Sequence, residues 1–351
     1  MISGLSSAAG RPATRDQAAA SNLNEIEPME ATPSAPDATS ASPFRAFAIL
    51  NARSGSCDVA VVKAELARCF GAVTVDYHEL NEGEDLAKVV ADALASGVHQ
   101  VVAGGGDGTI LAVASLLVGA DVHFACLPLG TANVLARELG IPTDLPGAAR
   151  LAASQLVEHD QQVKTSRVAT IDAMKLAGRH YLTQVGVGID ALMIQNTSTD
   201  AKRRLGRLAY LITAAKHILA FQSHRFEVTV DGQKRKLRAS QIVVANTGMM
   251  GQPPFRWGPD IHADDGRLNI CFIKSAGLRD YARLFWVVFR GHREKTPNMR
   301  HQSFERELEI RSRHPLPVQA DGEIVGETPI RIELIHQALR IIVPLDDPRV
   351  P

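Results

Sequence analysis

From Phe44 onward, short apolar runs alternate with segments whose apolar residues recur every three or four positions. Phe44–Leu50 is the first run. After it, Asp58 can cap a helix that keeps Val62, Leu66, Cys69 and Phe70 on one side and stops at Gly71. Val73–Tyr77 reads as a strand, and residues 84–95 place Leu86, Val89, Val90, Ala93 and Leu94 at helical spacing before Gly97. Val98–Ala103 is a third strand, 109–118 a helix, Val122–Leu127 a fourth strand and 133–139 another helix. Such alternation predicts a parallel sheet covered by helices on both faces, with ligands gathered beyond the carboxyl ends of the strands.

Past about residue 160 the texture changes. Arg167–Met174, His180–Val187, His224–Val230, Leu237–Asn246, Arg267–Ile273, Phe304–Ile310 and Ile330–Leu334 read as strands joined by turns such as Asp231-Gly232. Two helical stretches, about Leu205–Phe221 and Leu278–Phe289, interrupt them. The fold class is therefore α/β with two domains. An N-terminal three-layer α/β domain spans 44–163, and a β-rich, sandwich-like domain spans 164–334.

Residues 1–43 belong to neither domain. They are rich in Ala, Ser, Thr and Pro, lack apolar periodicity, and are expected to be a disordered tail. No cationic start leads into an apolar core, and no apolar run approaches the ~20 residues that span a bilayer. A cytoplasmic protein, at most peripheral to the inner membrane, is the expectation. Cys57, Cys69, Cys126 and Cys271 are scattered without a Cys-x-x-Cys pair, as buried reduced thiols would be. The formal net charge is zero, yet it is −3 over residues 1–43, −6 over 44–165, +9 over 166–330 and zero over 331–351. A cationic second module can meet anionic surfaces. Aromatics at 5% and the absence of a known module argue against nucleic acid as a partner. A homodimer remains open.

The chemistry concentrates at strand ends. In VVAGGGDGTI, Gly104, Gly105, Gly106, Asp107, Gly108 and Thr109 lead from a strand into a helix. Glycines there can take positive φ and expose backbone N–H groups to a phosphate, while the helix start favours an anion. The spacing is neither a P-loop nor G-x-G-x-x-G. Asp107 is either a turn residue or a group that orients Mg²⁺. A second loop, PLGTANVLAR, sets Gly130 and Thr131 before a helix that Asn133 can cap. NARSG, Asn51–Gly55, stands in the same place after the first strand.

These segments, with GVGIDA (Gly186–Ala191), DDGRLNI (Asp264–Ile270) and VQADGE (Val318–Glu323), resemble the diacylglycerol kinase catalytic-domain family. That family comprises bacterial lipid kinases and their sphingosine and ceramide kinase relatives. The resemblance implies a first domain like those of NAD kinases and phosphofructokinases, completed by residues 335–351. It implies ATP held by Asn51, Ser54, Gly55, the Gly104–Thr109 loop, Gly130, Thr131 and Asn133, with Asp107 acting through Mg-ATP. It places Glu323, aided by Asp321, as the acceptor of a lipid hydroxyl proton, although Asp321-Gly322 also suits an ordinary hairpin turn. It puts a structural Mg²⁺ on Asp265 with the carbonyls of His262 and Arg267, where a plain Asp-Gly turn would look identical.

Leu111, Ala112 and Val134 replace polar residues common in the family, and Ala52 replaces a proline. The expected reaction moves the γ-phosphate of ATP to diacylglycerol or a sphingoid-type lipid at the membrane surface. The alternatives are an NAD kinase-like phosphotransferase and a non-catalytic, nucleotide-gated lipid-binding regulator. Lys202, Arg203, Arg204, Arg207, Lys216, Lys234, Arg235, Lys236 and Arg238 could rest on anionic headgroups, and the apolar run Leu284–Phe289 could dip into the interface.

Overall fold

The computed structural model describes residues 44–52, 58–157, 165–188, 223–251, 255–258, 260–274, 280 and 299–346. The expected tail, Ser54, Gly55, Cys57, the 205–221 helix and, but for Asp280, the 278–289 stretch lie outside them.

Four strands, β1 (Arg45–Leu50), β2 (Thr74–Glu79), β3 (Gln100–Gly105) and β4 (His123–Pro128), pair in parallel in the order β2-β1-β3-β4. Side-chain chemistry sets that order. Every residue of β3 is buried, and β4 leaves only His123 partly exposed, whereas no residue of β2 is fully buried. A strand walled by helices on both faces must be apolar on both, so β3 and β4 suit the middle and β2 the edge.

The chain steps from β1 to β2 in one direction, then past β1 to β3 in the other. Right-handed crossovers therefore put α1 (Val59–Phe70) and α2 (Leu86–Ala95) on opposite faces. α3 (Asp107–Leu116) packs beside α2, and α5 (Leu145–Ala153) beside α1, giving three layers. The one-turn α4 (Val134–Glu138) falls within the helix expected over 133–139, whereas the periodicity did not announce α5. α1, α2 and α5 each begin at an aspartate cap, with Asp58 accepting from Ala60 N, Asp85 from Ala87 N and Asp144 from Gly147 N. Each such cap is worth ~1 kcal/mol. Inside the layers, burial pushes the Cys126 thiol up to about 12, as it does Cys271 in the second half, so both stay protonated.

The second half is β-rich, beginning with β5 (Ser166–Leu176). Three runs expected as single strands are each two. His180–Val187 divides into β6 (Arg179–Tyr181) and β7 (Gln184–Gly188). Leu237–Asn246 divides into β9 (Gln233–Ala239) and β10 (Gln241–Ala245), and Phe304–Ile310 into β12 (Met299–Phe304) and β13 (Glu307–Ser312). At every break the chain crosses from one sheet to the other. An apolar run reads alike whether it stays in a sheet or turns a corner between two.

β8 (His224–Val230), β9 and β13 extend the first sheet. The second sheet runs β12-β11-β10-β7-β14-β15, with β11 (Leu268–Ile273), β14 (Pro317–Ala320) and β15 (Glu323–Glu327), and is antiparallel throughout. Val187, Ile242 and Ile270 of this sheet share one core with Phe226, Leu308 and Ile332 of the other.

β16 (Ile330–Pro344) runs well past the expected Leu334. It pairs with β13 at its start, with β5 along most of its length, and at Ile341 lies parallel to Phe124 of β4. β5 and β16 thus form a ribbon through both halves. The ladder slips between Ile335 and Leu339, where Gln337 has φ 50°. The buried Asp172 of β5 holds this bulge. Its Oδ1 accepts the Gln337 N–H at 2.8 Å and lies 2.8 Å from His336 Nδ1, while Oδ2 accepts the Gly266 N–H at 2.8 Å.

Candidate active site

In a doubly wound sheet, the crevice opens where the strand order reverses, here between β1 and β3. Asn51 spans that reversal. Its N–H donates to Gly104 O at 2.9 Å and its Nδ2 to Thr109 Oγ1 at 2.8 Å. Leu129 N donates to Gly105 O at 2.8 Å, which brings the loop after β4 against the loop after β3. The sequence-predicted residues Asn51, Gly104–Thr109, Gly130 and Asn133 therefore come together, with Thr131 exposed beside them.

The reason for the glycines differs from the expected one. None of Gly104, Gly105, Gly106, Gly108 or Gly130 has positive φ, and Gly106 is extended at φ −82°, ψ 179°. Space is what they supply. A Cβ on Gly105 would sit 2.8 Å from Thr109 Cβ, and one on Gly130 only 2.7 Å from Gly106 Cα. Gly108 is exposed and would meet nothing within 4 Å. The two substitutions should therefore separate. Gly130→Ala should cost about 1–3 kcal/mol through forced backbone shifts. Gly108→Ala should leave the melting temperature unchanged or slightly raised, because alanine favours the helix, yet weaken ATP binding by crowding the helix start. Thermal melts beside nucleotide titrations check this, and equal stability loss in both variants would contradict it.

Unlike the three helices capped by aspartate, α3 starts at Gly106 with no side-chain cap. Its free N–H groups and positive dipole end are left open at the exposed Gly108, an arrangement that fits phosphate oxygens. Asp107, the residue that might have capped it, is committed to the neighbouring loop. Its Oδ2 accepts Asn133 N–H at 2.8 Å and its Oδ1 Val134 N–H at 2.5 Å, so it caps α4 from another strand end. This corrects the expectation that Asn133 caps α4. Asn133 sits at the cap position with φ 50°, but its Nδ2 ties back to Pro128 O and Gly130 O.

β14 and β15 meet in a two-residue hairpin whose corner residues, Asp321 and Gly322, have φ 47° and 89°. Both central residues at positive φ make the type I′ turn that suits hairpin twist and favours Asp-Gly. Asp321 also locks the β6–β7 break: Leu182 N, Thr183 N, Thr183 Oγ1 and Gln184 N donate to its carboxylate at 2.5–3.0 Å. Burial pushes this carboxyl up, opposed by Thr183 and those backbone donors. With its oxygens so engaged, Asp321 holds the hairpin and the β6–β7 break in place, a positioning role beside Glu323. Glu323 is exposed, and its side chain makes no hydrogen bond or ion pair among the described residues. β6 packs against α3, so the segment cradling Asp321 adjoins the helix that opens at Gly106. Tyr181, on β6, is buried nearby. Burial raises its phenol most, Arg179 opposes this, and Asp321 and Glu323 raise it further.

Asp265, His262 and Arg267 do lie in one turn, but its geometry is that of the plain Asp-Gly alternative. Asp265 Oδ1 accepts the Arg267 N–H at 3.1 Å, Arg267 Nε lies 3.4 Å from Oδ2, and Gly266 has φ 73°. Burial, the largest influence, raises the Asp265 carboxyl, with Arg267 opposing. The cation facing this carboxylate is the guanidinium, and no group of three or more His, Cys, Asp or Glu among the described residues could hold a metal. Asp265 would meet Mg²⁺ here only with the Arg267 side chain swung aside.

Sequence reasoning passed over Glu138. It is fully buried at the end of α4, and it accepts Met249 N–H at 3.0 Å and Arg256 Nη2 at 3.1 Å, tying the second glycine loop to the β-rich half. Asp172 was missed as well. The available signal for both was a lone acid inside an apolar segment, LARELG and ATIDAM.

Comparison with known proteins assigns both halves of the chain to described domains. The diacylglycerol kinase catalytic domain matches residues 45–165, and the YegS C-terminal NAD kinase beta sandwich-like domain matches 183–343. A "Probable lipid kinase YegS-like" of Pseudomonas aeruginosa is 29% identical over 273 residues, 76% of this chain and 84% of that protein. A Synechocystis sp. protein is 27% identical over 70% of this chain, which spans only 55% of that protein's length. Among solved structures, a diacylglycerol kinase of Bacillus anthracis strain Sterne superposes with a TM-score of 0.69 at 23% identity, covering 88% of this chain and 98% of that one. The chain belongs to the lipid kinase family that joins a diacylglycerol kinase catalytic domain to a YegS C-terminal domain.

Proposed function

We propose that this protein transfers the γ-phosphate of ATP to a hydroxyl of diacylglycerol or a sphingoid-type lipid. The observation that carries the reading is the uncapped start of α3 at the sheet's reversal point, beside three helices that are each capped by an aspartate. Phosphoryl transfer asks a protein mainly for positioning and charge neutralisation. Main-chain N–H groups at Gly108 and Thr109 would meet phosphate oxygens. The Asn51–Thr109 hydrogen bond fixes the mouth of the crevice, and Asp107 holds the two glycine loops in register. Mg²⁺ would enter with the nucleotide, the usual habit of an ion that prefers substrate phosphates to an all-protein cage. Glu323 would take the proton of the lipid hydroxyl, with Asp321 fixing its hairpin.

The test is incubation of the full chain with Mg-ATP labelled at the γ-phosphate, offering diacylglycerol micelles, sphingosine micelles and NAD in parallel. Label in lipid supports the reading. Label in NAD alone favours the NAD kinase-like alternative, and ATP binding without transfer to any acceptor favours the regulator.

A further inference from the structure

Away from the glycine loops, a groove of about 730 Å³ lies over β8, β9 and β13. Six cations, Arg225, Lys236, Arg238, Lys274, Arg311 and Arg313, line it against a single acid, Glu227. The strand register divides these groups into two rows. In one, Arg311 lies opposite Glu227 and Glu227 opposite Lys236, and Glu227 is also ion-paired with Lys234 at 2.5 Å. In that row each cation at least faces a carboxylate.

In the next row, Arg225 lies directly opposite Arg238. Arg313 follows Ser312, itself opposite Phe226, and so continues the same row across the third strand. All three arginines are exposed, and among the described residues none of them, nor Lys274, is paired with an acid. Like charges placed directly opposite on a sheet are unfavourable. Such a row persists at a cost to the folded chain unless an anion sits over it. Protection of the edge strand would account for cations on β9, but not for Arg225 and Arg313 on the two strands inside it.

We infer that this row is a docking site for the phosphates of an anionic phospholipid surface. Arginine matches phosphate with paired N–H donors, and here three guanidinium groups converge with Lys274 on one opening. A membrane is favoured over a soluble anion because the charge is spread rather than enclosed. Lys234, Arg235, Lys236 and Arg238 follow one another along the exposed edge strand, and residues 166–330 carry +9. The choice of membrane rests on the lipid-kinase reading, whereas the anion site itself does not.

The experiment is flotation of the full chain with vesicles of phosphatidylcholine, with and without phosphatidylglycerol. The variant is Arg225→Ala/Arg238→Ala/Arg313→Ala, and the charge-matched control is Arg68→Ala/Lys88→Ala/Arg150→Ala. Wild type and control should bind only the anionic vesicles, the arginine variant should bind roughly a hundredfold more weakly, and its melting temperature should hold or rise as repulsion is relieved. Equal loss in the control would overturn the site. So would retention of inorganic pyrophosphate by wild type but not by the arginine variant, without vesicle binding, which would make the ligand of the row a soluble anion. Because no turnover is measured, lipid phosphorylation in detergent micelles without vesicle binding removes only this inference. Vesicle binding without phosphorylation removes only the kinase reading.

Discussion

Glu323→Gln will slow phosphate transfer by about 10²–10⁴-fold, the usual contribution of a positioned general base, while ATP binding and folding are preserved. The glutamate is exposed at the start of β15 and its side chain makes no hydrogen bond among the described residues, so its carboxylate holds nothing together. Surface changes of that kind usually alter stability by no more than about 0.5 kcal/mol. The loss should therefore fall on kcat, with the KM for ATP near wild type. Asp321→Asn provides the contrast. Four donors converge on that carboxylate, and an amide would turn an N–H₂ toward some of them, loosening the β6–β7 corner and the hairpin together. Lower stability should accompany lower turnover there. A Glu323→Gln enzyme that works at the wild-type rate would place the proton acceptor elsewhere.

The second large effect is on stability, and it is asymmetric. The Glu138 side chain is 0% exposed and that of Arg256 is 34% exposed. Arg256→Ala strands a buried carboxylate on the Met249 N–H alone, and breaking a buried pair in this way costs about 3–5 kcal/mol. Glu138→Ala should cost less, because the guanidinium can swing into water and the orphaned Met249 N–H forfeits about 1–3 kcal/mol. Glu138→Leu with Arg256→Met should recover much of the loss, since neither charge is then buried. Urea midpoints of the four proteins check the order. A larger penalty for Glu138→Ala than for Arg256→Ala would show that the pair is not the buried, one-sided contact it looks to be.

The first half was legible because its signals are local. Val62, Leu66 and Phe70 recur on one helix face, and Asp58 and Asp85 stand one residue before the helices they cap. The three strand-end loops could be picked out as candidate phosphate loops for the same reason. Their inner workings could not, because they depend on contacts across the sheet. Asp107 caps a helix 27 residues away, and Gly130 is glycine because Gly106 lies against it. In the second half, composition hid the corners. Tyr181-Leu182-Thr183-Gln184 carries no glycine or proline to mark the crossing, and its turn is held by Asp321, much later in the chain. The DGE segment stood out by its resemblance, while the structural load on Asp321 emerged only from the donors around it.

The reach of β16 bears on how the molecule is made. A ribosome delivers β4 long before the strand that will flank it at Phe124, so the nascent α/β half waits with a bare, largely apolar border. Such borders invite other chains. Assembly of the nucleotide half is thereby tied to synthesis of the other, and a fragment ending before β16 would emerge with a sticky flank, prone to clump.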